Sequence, residues 1–307
     1  MLRAIVLGIV QGITEFLPIS SSAHLSIVPR LLGYATPTLA FEVLLHFGTL
    51  AAVVAYFARD LWAFVLCLVA PGRLGPEETR ARRRLLGLLV LASVPAAVVG
   101  FLLQDWADGQ TARPLRASVW LVLTTAILIA AELYDRSRSR RAVPVVPVVT
   151  DGGEGRVGTR VERFARGAAA APPPADAEEE LKRLPLAKAA GIGLAQAVAL
   201  IPGTSRSGVT ISAGLFQGVS RATAARFSFL LSIPAILGAG VLKLDELSGA
   251  TETPAQLAAG TLAAAVSGFL AVSFLIRLLR TRTLWPFIWY RLAAGALFVL
   301  LLTTVRS

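Results

Sequence analysis

Cysteine is almost missing from this chain: Cys67 is the only one in 307 residues. No internal disulfide can form, and a single thiol in apolar sequence reads as a packing residue. Charge is scarce as well. Asp, Glu, Lys and Arg make up 16% of the residues against 55% hydrophobic ones, and the mean hydropathy is +0.68. That composition excludes a soluble domain, whose surface must be largely polar. Acidic residues number 19 against 30 basic ones, giving a formal net charge of +11. Nucleic acid is not the partner this implies, because most of the arginine lies beside apolar runs, where it sets membrane topology. The N-terminal apolar stretch is expected to stay in the mature protein and not to act as a secretory signal peptide, since Gln11, Thr14 and Glu15 interrupt it and an h-region carries no carboxylate.

What the chain has is apolar runs. A bilayer core of about 30 Å needs roughly 20 apolar residues per helical span. Six runs fit, at approximately Leu39 to Phe57, Leu85 to Leu103, Ala117 to Ala131, Ala222 to Leu242, Ala255 to Ile276 and Trp285 to Thr304. Two more, Leu2 to Leu17 and Leu186 to Ile201, are shorter, and each runs into a proline followed by serines. The pattern predicts an all-α integral membrane protein with about six transmembrane helices and two re-entrant helical hairpins.

Between the halves the composition changes. Residues 135–184 hold Arg136, Arg138, Arg140 and Arg141, then Pro172 to Pro174 after an alanine run, then Glu178 to Glu180, without apolar periodicity. They read as a disordered cytoplasmic linker. Residues 1–134 then form a first membrane half, with a re-entrant hairpin over 1–34 and three spans. Residues 185–307 form a second, with a hairpin over 185–220 and three spans. Loop charges give the orientation. Arg59, Arg73, Arg80, Arg82, Arg83 and Arg84 follow the first span, the arginine-rich linker follows the third, and Arg277, Arg280 and Arg282 follow the fifth. The loop after the fourth is acidic, with Asp245, Glu246 and Glu252 against Lys243. Both termini are thereby expected outside. Three spans per half invert one half against the other, an inverted-topology repeat of the kind transporter folds use. The echo of Gln11 to Pro18 and its serines in Gln196 to Pro202 and its serines supports the repeat. The matching Ser93-Val-Pro95 and Ser232-Ile-Pro234 segments fall on spans that do not correspond.

The two interruptions carry the chemistry. In the first, Gln11 and Glu15 are four apart and share a helix face, Pro18 breaks the helix, Ser20, Ser21 and Ser22 can cap the next one, and His24 follows. A carboxylate at membrane depth marks a functional cavity by default. The second runs Pro202-Gly203-Thr204-Ser205-Arg206-Ser207-Gly208. Glycines let backbone approach a ligand, hydroxyls and a helix N-terminus donate hydrogen bonds, and arginine offers a bidentate fork, which suits a phosphate. Plainer readings compete: tight turns between helices, a buried Glu15–Arg206 ion pair locking the hairpins, a Glu42–His46 pair joining helices, and Trp285, Trp289 and Tyr290 as an interfacial anchor.

At these residues the sequence closely resembles the undecaprenyl-diphosphatase family, membrane phosphatases linked to bacitracin resistance. The resemblance rests on Gln11 with Glu15, on Pro-x-Ser-Ser-x-x-His from Pro18 to His24, and on Pro-Gly-x-Ser-Arg-Ser-Gly from Pro202 to Gly208. It covers nearly the whole chain apart from the linker, which looks longer than the family's usual connector. It implies removal of the terminal phosphate of undecaprenyl diphosphate, a polyprenyl diphosphate lipid, to give the monophosphate carrier reused in peptidoglycan assembly, with a divalent cation, Mg2+ or Ca2+, in a bacterial plasma membrane and at a site facing the periplasm. It also implies roles: Glu15, Ser21, His24 and Arg206 catalytic; Ser20, Ser22, Gly203, Thr204, Ser205, Arg206, Ser207 and Gly208 around phosphate; Gln11 and Glu15 at the cation. Either Ser21 or His24 attacks phosphorus or activates water, and a homo-oligomer is compatible with all of this. A polyprenyl-phosphate transporter or flippase fits the architecture too, since binding a phosphate does not require hydrolysing it. A non-catalytic scaffold leaves the placement of Glu15, His24 and Arg206 at helix breaks unexplained.

Overall fold

The computed structural model describes residues 1–103, 106, 114–141 and 177–304. Among the described residues the regular elements are all helical. In chain order they are α1 (Leu2–Phe16), α2 (Ser21–Leu31), α3 (Leu39–Tyr56), α4 (Ala58–Val69), α5 (Pro76–Leu102), α6 (Pro114–Arg141), α7 (Ala177–Lys182), α8 (Leu186–Val198), α9 (Arg206–Phe216), α10 (Arg221–Leu242), α11 (Pro254–Thr281) and α12 (Trp285–Thr304). Six of these, α3, α5, α6, α10, α11 and α12, are long and apolar enough to cross a membrane. Each contains one of the six apolar runs. The α5 helix starts well before its run, because Pro76 suits a first helical turn and Glu77 and Glu78 complement the positive end of the helix dipole.

The outward faces are as apolar as the interior. Val90, Val94 and Val98 on α5 and Leu262, Val266, Leu270 and Phe274 on α11 are all about half exposed or more, each set spaced by four. In water such stripes would aggregate, and in lipid they are the solvated surface. The protein is a multi-pass membrane protein.

Connections gather on two opposite faces. On one, Asp60 binds Arg82 at 2.6 Å and Arg226 at 3.0 Å, while Glu132 accepts from Arg221 at 2.9 Å and from the Leu284 amide at 3.2 Å. These pairs tie together the start of α4, the starts of α5 and α10, the end of α6 and the start of α12. On the other face Arg3 donates to Thr36 O and to Glu252, and Thr38 Oγ1 donates to Glu252 at 2.6 Å. This joins the start of α1 to the starts of α3 and α11.

The segment read as a linker is ordered at both ends. The helix α6 runs on to Arg141, its Glu132 and Asp135 both paired with Arg221. Glu178 of α7 meets Arg82 at 2.6 Å, Lys182 meets Glu78 at 2.9 Å, and Glu180 accepts from Thr223 Oγ1 at 2.6 Å. Charged residues without apolar periodicity are ordered here by ion pairs to the spans, which a linear pattern does not display. Residues 142–176 lie outside the described residues.

The short helices are 15, 11, 13 and 11 residues for α1, α2, α8 and α9, each below the length a span needs. They pack deep inside nonetheless, α1 along α11 and α8 along α5. Without a hydrophobic driving force between helices in lipid, small residues allow that closeness. A Cβ at Gly12 would collide with Ser267 Oγ and Ala264 O of α11, and one at Gly193 with Ala92 O of α5.

Gly12→Leu should therefore lower stability in detergent by at least about 1–3 kcal/mol, the usual cost of overpacking. Gly87→Ala, at a helical position where a new Cβ meets nothing within 4 Å, should hold or slightly raise it, and thermal unfolding of both variants checks the pair.

Burial disfavours the charge on Glu252, but hydrogen bonds from Thr38, with Arg3 alongside, outweigh it and hold the carboxyl below its ordinary range. A lowered folded pKa contributes stability above the unfolded value and loses it as pH falls through the folded one. Glu252→Gln should thus melt below the native protein at neutral pH, and the difference should shrink below about pH 4.

Candidate functional site

Two helix breaks build the site. Leu17 ends α1 in an extended conformation, as expected of a residue before proline, and Pro18 and Ile19 cross to α2. Ser20 caps α2 at φ 73°, and Ser205 caps α9 at φ 71°. They are the two non-glycine residues at positive φ among the described residues. Such a conformation costs about 1–3 kcal/mol and persists only where the surroundings impose it. At both breaks the capping serine hydroxyl meets the hydroxyl two residues on, Ser20 with Ser22 at 3.2 Å and Ser205 with Ser207 at 3.3 Å. Gly203, at φ 94°, has no room for a side chain, because a Cβ there would strike Ala117 O.

The breaks touch each other. The Gly203 amide donates to Ser22 Oγ at 3.0 Å, and Ser207 Oγ donates to Leu17 O at 3.1 Å. Each break thus satisfies a backbone group of the other, as a broken helix at membrane depth requires.

At this junction lies Glu15. Its Oε1 accepts from Arg206 Nη2 at 2.8 Å, and its Oε2 accepts from Ser21 Oγ at 2.7 Å and from Gln11 Nε2 at 3.3 Å. His46 Nε2 stands 3.8 Å from the same oxygen. The carboxylate is buried, Arg206 nearly so, and His46 is the exposed member of the group. Several polar atoms beside this cluster are buried without a partner, namely Gln11 Oε1, Arg206 Nη1 and Thr204 Oγ1. Buried polar atoms are nearly always satisfied, so an orphaned guanidinium N–H next to an ion pair indicates room for an anionic ligand.

Of the residues expected in the site, Gln11, Glu15, Ser21 and Arg206 come together directly, and Ser22, Gly203 and Ser207 join the two breaks around them. Ser20 and Ser205 are caps, and Thr204 is fully buried between them and α6. The amides of Gly203 and Gly208, expected to face a phosphate, are taken by Ser22 Oγ and Ser205 Oγ here. His24 turns away from Glu15. Its Nδ1 lies 2.7 Å from Ser20 O, a pure acceptor, so Nδ1 carries the proton and Nε2 accepts from Tyr290 OH at 2.7 Å.

Three participants escaped the sequence reading. His46 was paired with Glu42 by spacing; its Nδ1 does meet Glu42 O, but its Nε2 faces Glu15. Tyr290 stacks on His24 instead of serving only as an interfacial anchor beside Trp289. Arg291 lies within an apolar run outside both motifs, although a charge inside a span is itself a signal. It is fully buried and donates to Pro18 O and Thr204 O.

Comparison with known proteins places this architecture. The family model described as bacitracin resistance protein BacA matches residues 4–297. The chain is 39% identical over 310 residues to the undecaprenyl-diphosphatase of Pelobacter propionicus, covering 99% of this chain and 98% of that one. It is 41% identical over 297 residues to the undecaprenyl-diphosphatase of Alcanivorax borkumensis, with 95% and 96% covered, and 40% identical over 320 residues to that of Thermomicrobium roseum, with 99% of each covered. A family match from end to end, with relatives of this similarity, establishes that the chain belongs to the bacitracin resistance protein BacA family.

Proposed function

We propose that this protein hydrolyses the terminal phosphate of undecaprenyl diphosphate, yielding the monophosphate carrier lipid. The observation that carries the reading is the meeting of Ser21, Glu15 and Arg206 from two separate helix breaks, with Arg206 Nη1 buried and unspent. A hydroxyl hydrogen-bonded to a carboxylate is an activated nucleophile with its base, and a guanidinium beside it stabilises charge on a transferring phosphoryl group.

Ser21 Oγ attacks the terminal phosphorus and passes its proton to Glu15. The bridging P–O bond breaks, and undecaprenyl phosphate departs with that proton on its oxygen, which returns Glu15 to its carboxylate form. Water then cleaves the seryl phosphate, with Glu15 as base, releasing inorganic phosphate and restoring the hydroxyl. Arg206 holds the equatorial oxygens throughout. His24, held through Ser20 O and Tyr290, sets the start of α2 and with it the direction of Ser21.

A divalent cation fits the donors present. Among the described residues no three His, Cys, Asp or Glu side chains cluster, so a closed protein cage is not the arrangement. Gln11 Oε1, buried without a partner, and the Glu15 carboxylate would hold Mg2+ or Ca2+ together with diphosphate and water oxygens, as hard cations are commonly held beside phosphates. Bound there, the cation neutralises diphosphate charge.

The same reading takes α1–α2 and α8–α9 as re-entrant hairpins of two inverted halves, 1–134 and 185–307. Supporting it, Gly8 and Gly193, Gln11 and Gln196, Ser20 and Ser205, and Ser22 and Ser207 are all separated by one common interval, and the two strained serines have nearly the same φ and ψ. With arginine-rich loops inside, the first hairpin opens to the periplasmic side of a bacterial plasma membrane.

Purified protein given a short-chain polyprenyl diphosphate should release phosphate, and chelation should suppress it. Arg206→Ala and Ser21→Ala should each lower kcat by about 100-fold or more, the scale of losing a transition-state charge partner or nucleophile. Near-native release by Arg206→Ala, or lipid movement across proteoliposomes without release, would sink the assignment.

A further inference from the structure

Arg291 is the largest fully buried side chain among the described residues, and it lies inside the spanning helix α12. A guanidinium there is tolerated only when its donors are all engaged. Nε donates to Thr125 Oγ1 at 2.8 Å, and Nη2 to Thr124 Oγ1 at 2.5 Å and to Leu121 O at 2.9 Å, all on α6. Nη1 donates to Pro18 O at 3.1 Å, and both Nη atoms approach Thr204 O at 3.4 Å. Five N–H donors thus have five acceptors, which leaves none for a phosphate. Arg291 is no anion ligand of the site.

Its last two acceptors decide what it does. Pro18 O belongs to the first break, two residues before the strained cap Ser20, and Thr204 O to the second, one residue before the strained cap Ser205. Packing of α12 on α6 needs neither: Gly295 already lies so close to α6 that a Cβ there would strike Val122, with Leu121 alongside. We propose that Arg291 is the positioning residue of the site, one planar fork that ties both breaks to α6 and so fixes Glu15 and Ser21 relative to Arg206. Thr124 supports the same point by reaching Thr204 O at 3.3 Å. The proposal rests on the roles given above to Glu15, Ser21 and Arg206. Misplacing reacting groups by about 1 Å costs on the order of 100-fold in rate, so a fork that sets their separation acts on kcat.

Arg291→Lys keeps the charge but loses the planar five-donor fork. Two measurements on the full-length protein test it: phosphate release, and cross-linking of Leu17→Cys to Ser207→Cys by a short bis-thiol reagent in a Cys67→Ser background. In the native chain those two positions are joined by a 3.1 Å hydrogen bond. The expected result is a fall in kcat of about 30- to 100-fold with KM within about threefold, and slower cross-linking. Thr125→Val, which removes one acceptor and keeps the volume, should move both readouts the same way by about 3- to 10-fold, and it serves if the lysine variant does not fold. Native kcat in Arg291→Lys, or in Thr125→Val where the lysine variant does not fold, overturns the proposal, as does a loss of kcat with unchanged cross-linking. If the native protein itself releases no phosphate, the hydrolase reading fails on its own. Cross-linking then decides: slowed in the variants it supports the positioning role, unchanged it refutes it.

Discussion

A helix broken inside a bilayer exposes amides and carbonyls where no water can bind them, each at a cost of several kcal/mol. Here two breaks answer each other. The Gly203 amide goes to Ser22, the Leu17 carbonyl receives Ser207, and the Pro18 and Thr204 carbonyls share Arg291. Almost everything else follows from that mutual satisfaction. The small-residue seams of α1 on α11 and α8 on α5 bring the short helices deep enough for their ends to meet, and the charged networks on the linker face hold the spans around them.

The same constraint explains why the chemistry is concentrated where it is. Glu15 alone would be an unpaired carboxylate in a low-dielectric interior, and Arg206 alone an unpaired cation. Removing either leaves the other stranded, the costly way to break a buried pair. Held together they are stable, yet Arg206 keeps its Nη1 without a partner and Gln11 keeps its amide oxygen free. The ion pair that the plain reading treated as a lock and the phosphate site that the functional reading required are therefore the same object. The strained caps Ser20 and Ser205 belong to it as well, since the hydroxyl of each meets the serine two residues on, Ser22 or Ser207, that bonds across to the other break.

The structure opposes separation of the breaks from three directions: serine latches, an ion pair and a buried arginine. A site assembled from two elements more than 180 residues apart in sequence depends on such redundancy, because neither half can dictate the position of the other through the chain. His24 and Tyr290 extend the network to α12 without reaching Glu15, so the histidine bears on α2 and its serines instead of on the carboxylate.

The sequence by itself determined the six spans, the two interrupted helices and the polar residues at their ends. These depend on length, apolar content and the local effects of proline, serine and glycine, all of which act over a few residues. It also showed Gln11 and Glu15 on one face, since a helix repeats every 3.6 residues. Only the tertiary structure decided which of those residues meet. Nothing local says that His46 faces Glu15 while His24 faces Tyr290, that Gly203 and Gly208 give their amides to serines, or that the ends of the arginine-rich segment are ordered against the spans. Those pairings are set by how helices distant in sequence rotate and cross, and that is fixed by packing over the whole molecule. Arg291 stands between the two cases. Its charge was visible in the sequence as an anomaly within an apolar run, but its meaning lay in two carbonyls from opposite ends of the chain, which only the folded protein brings to one point.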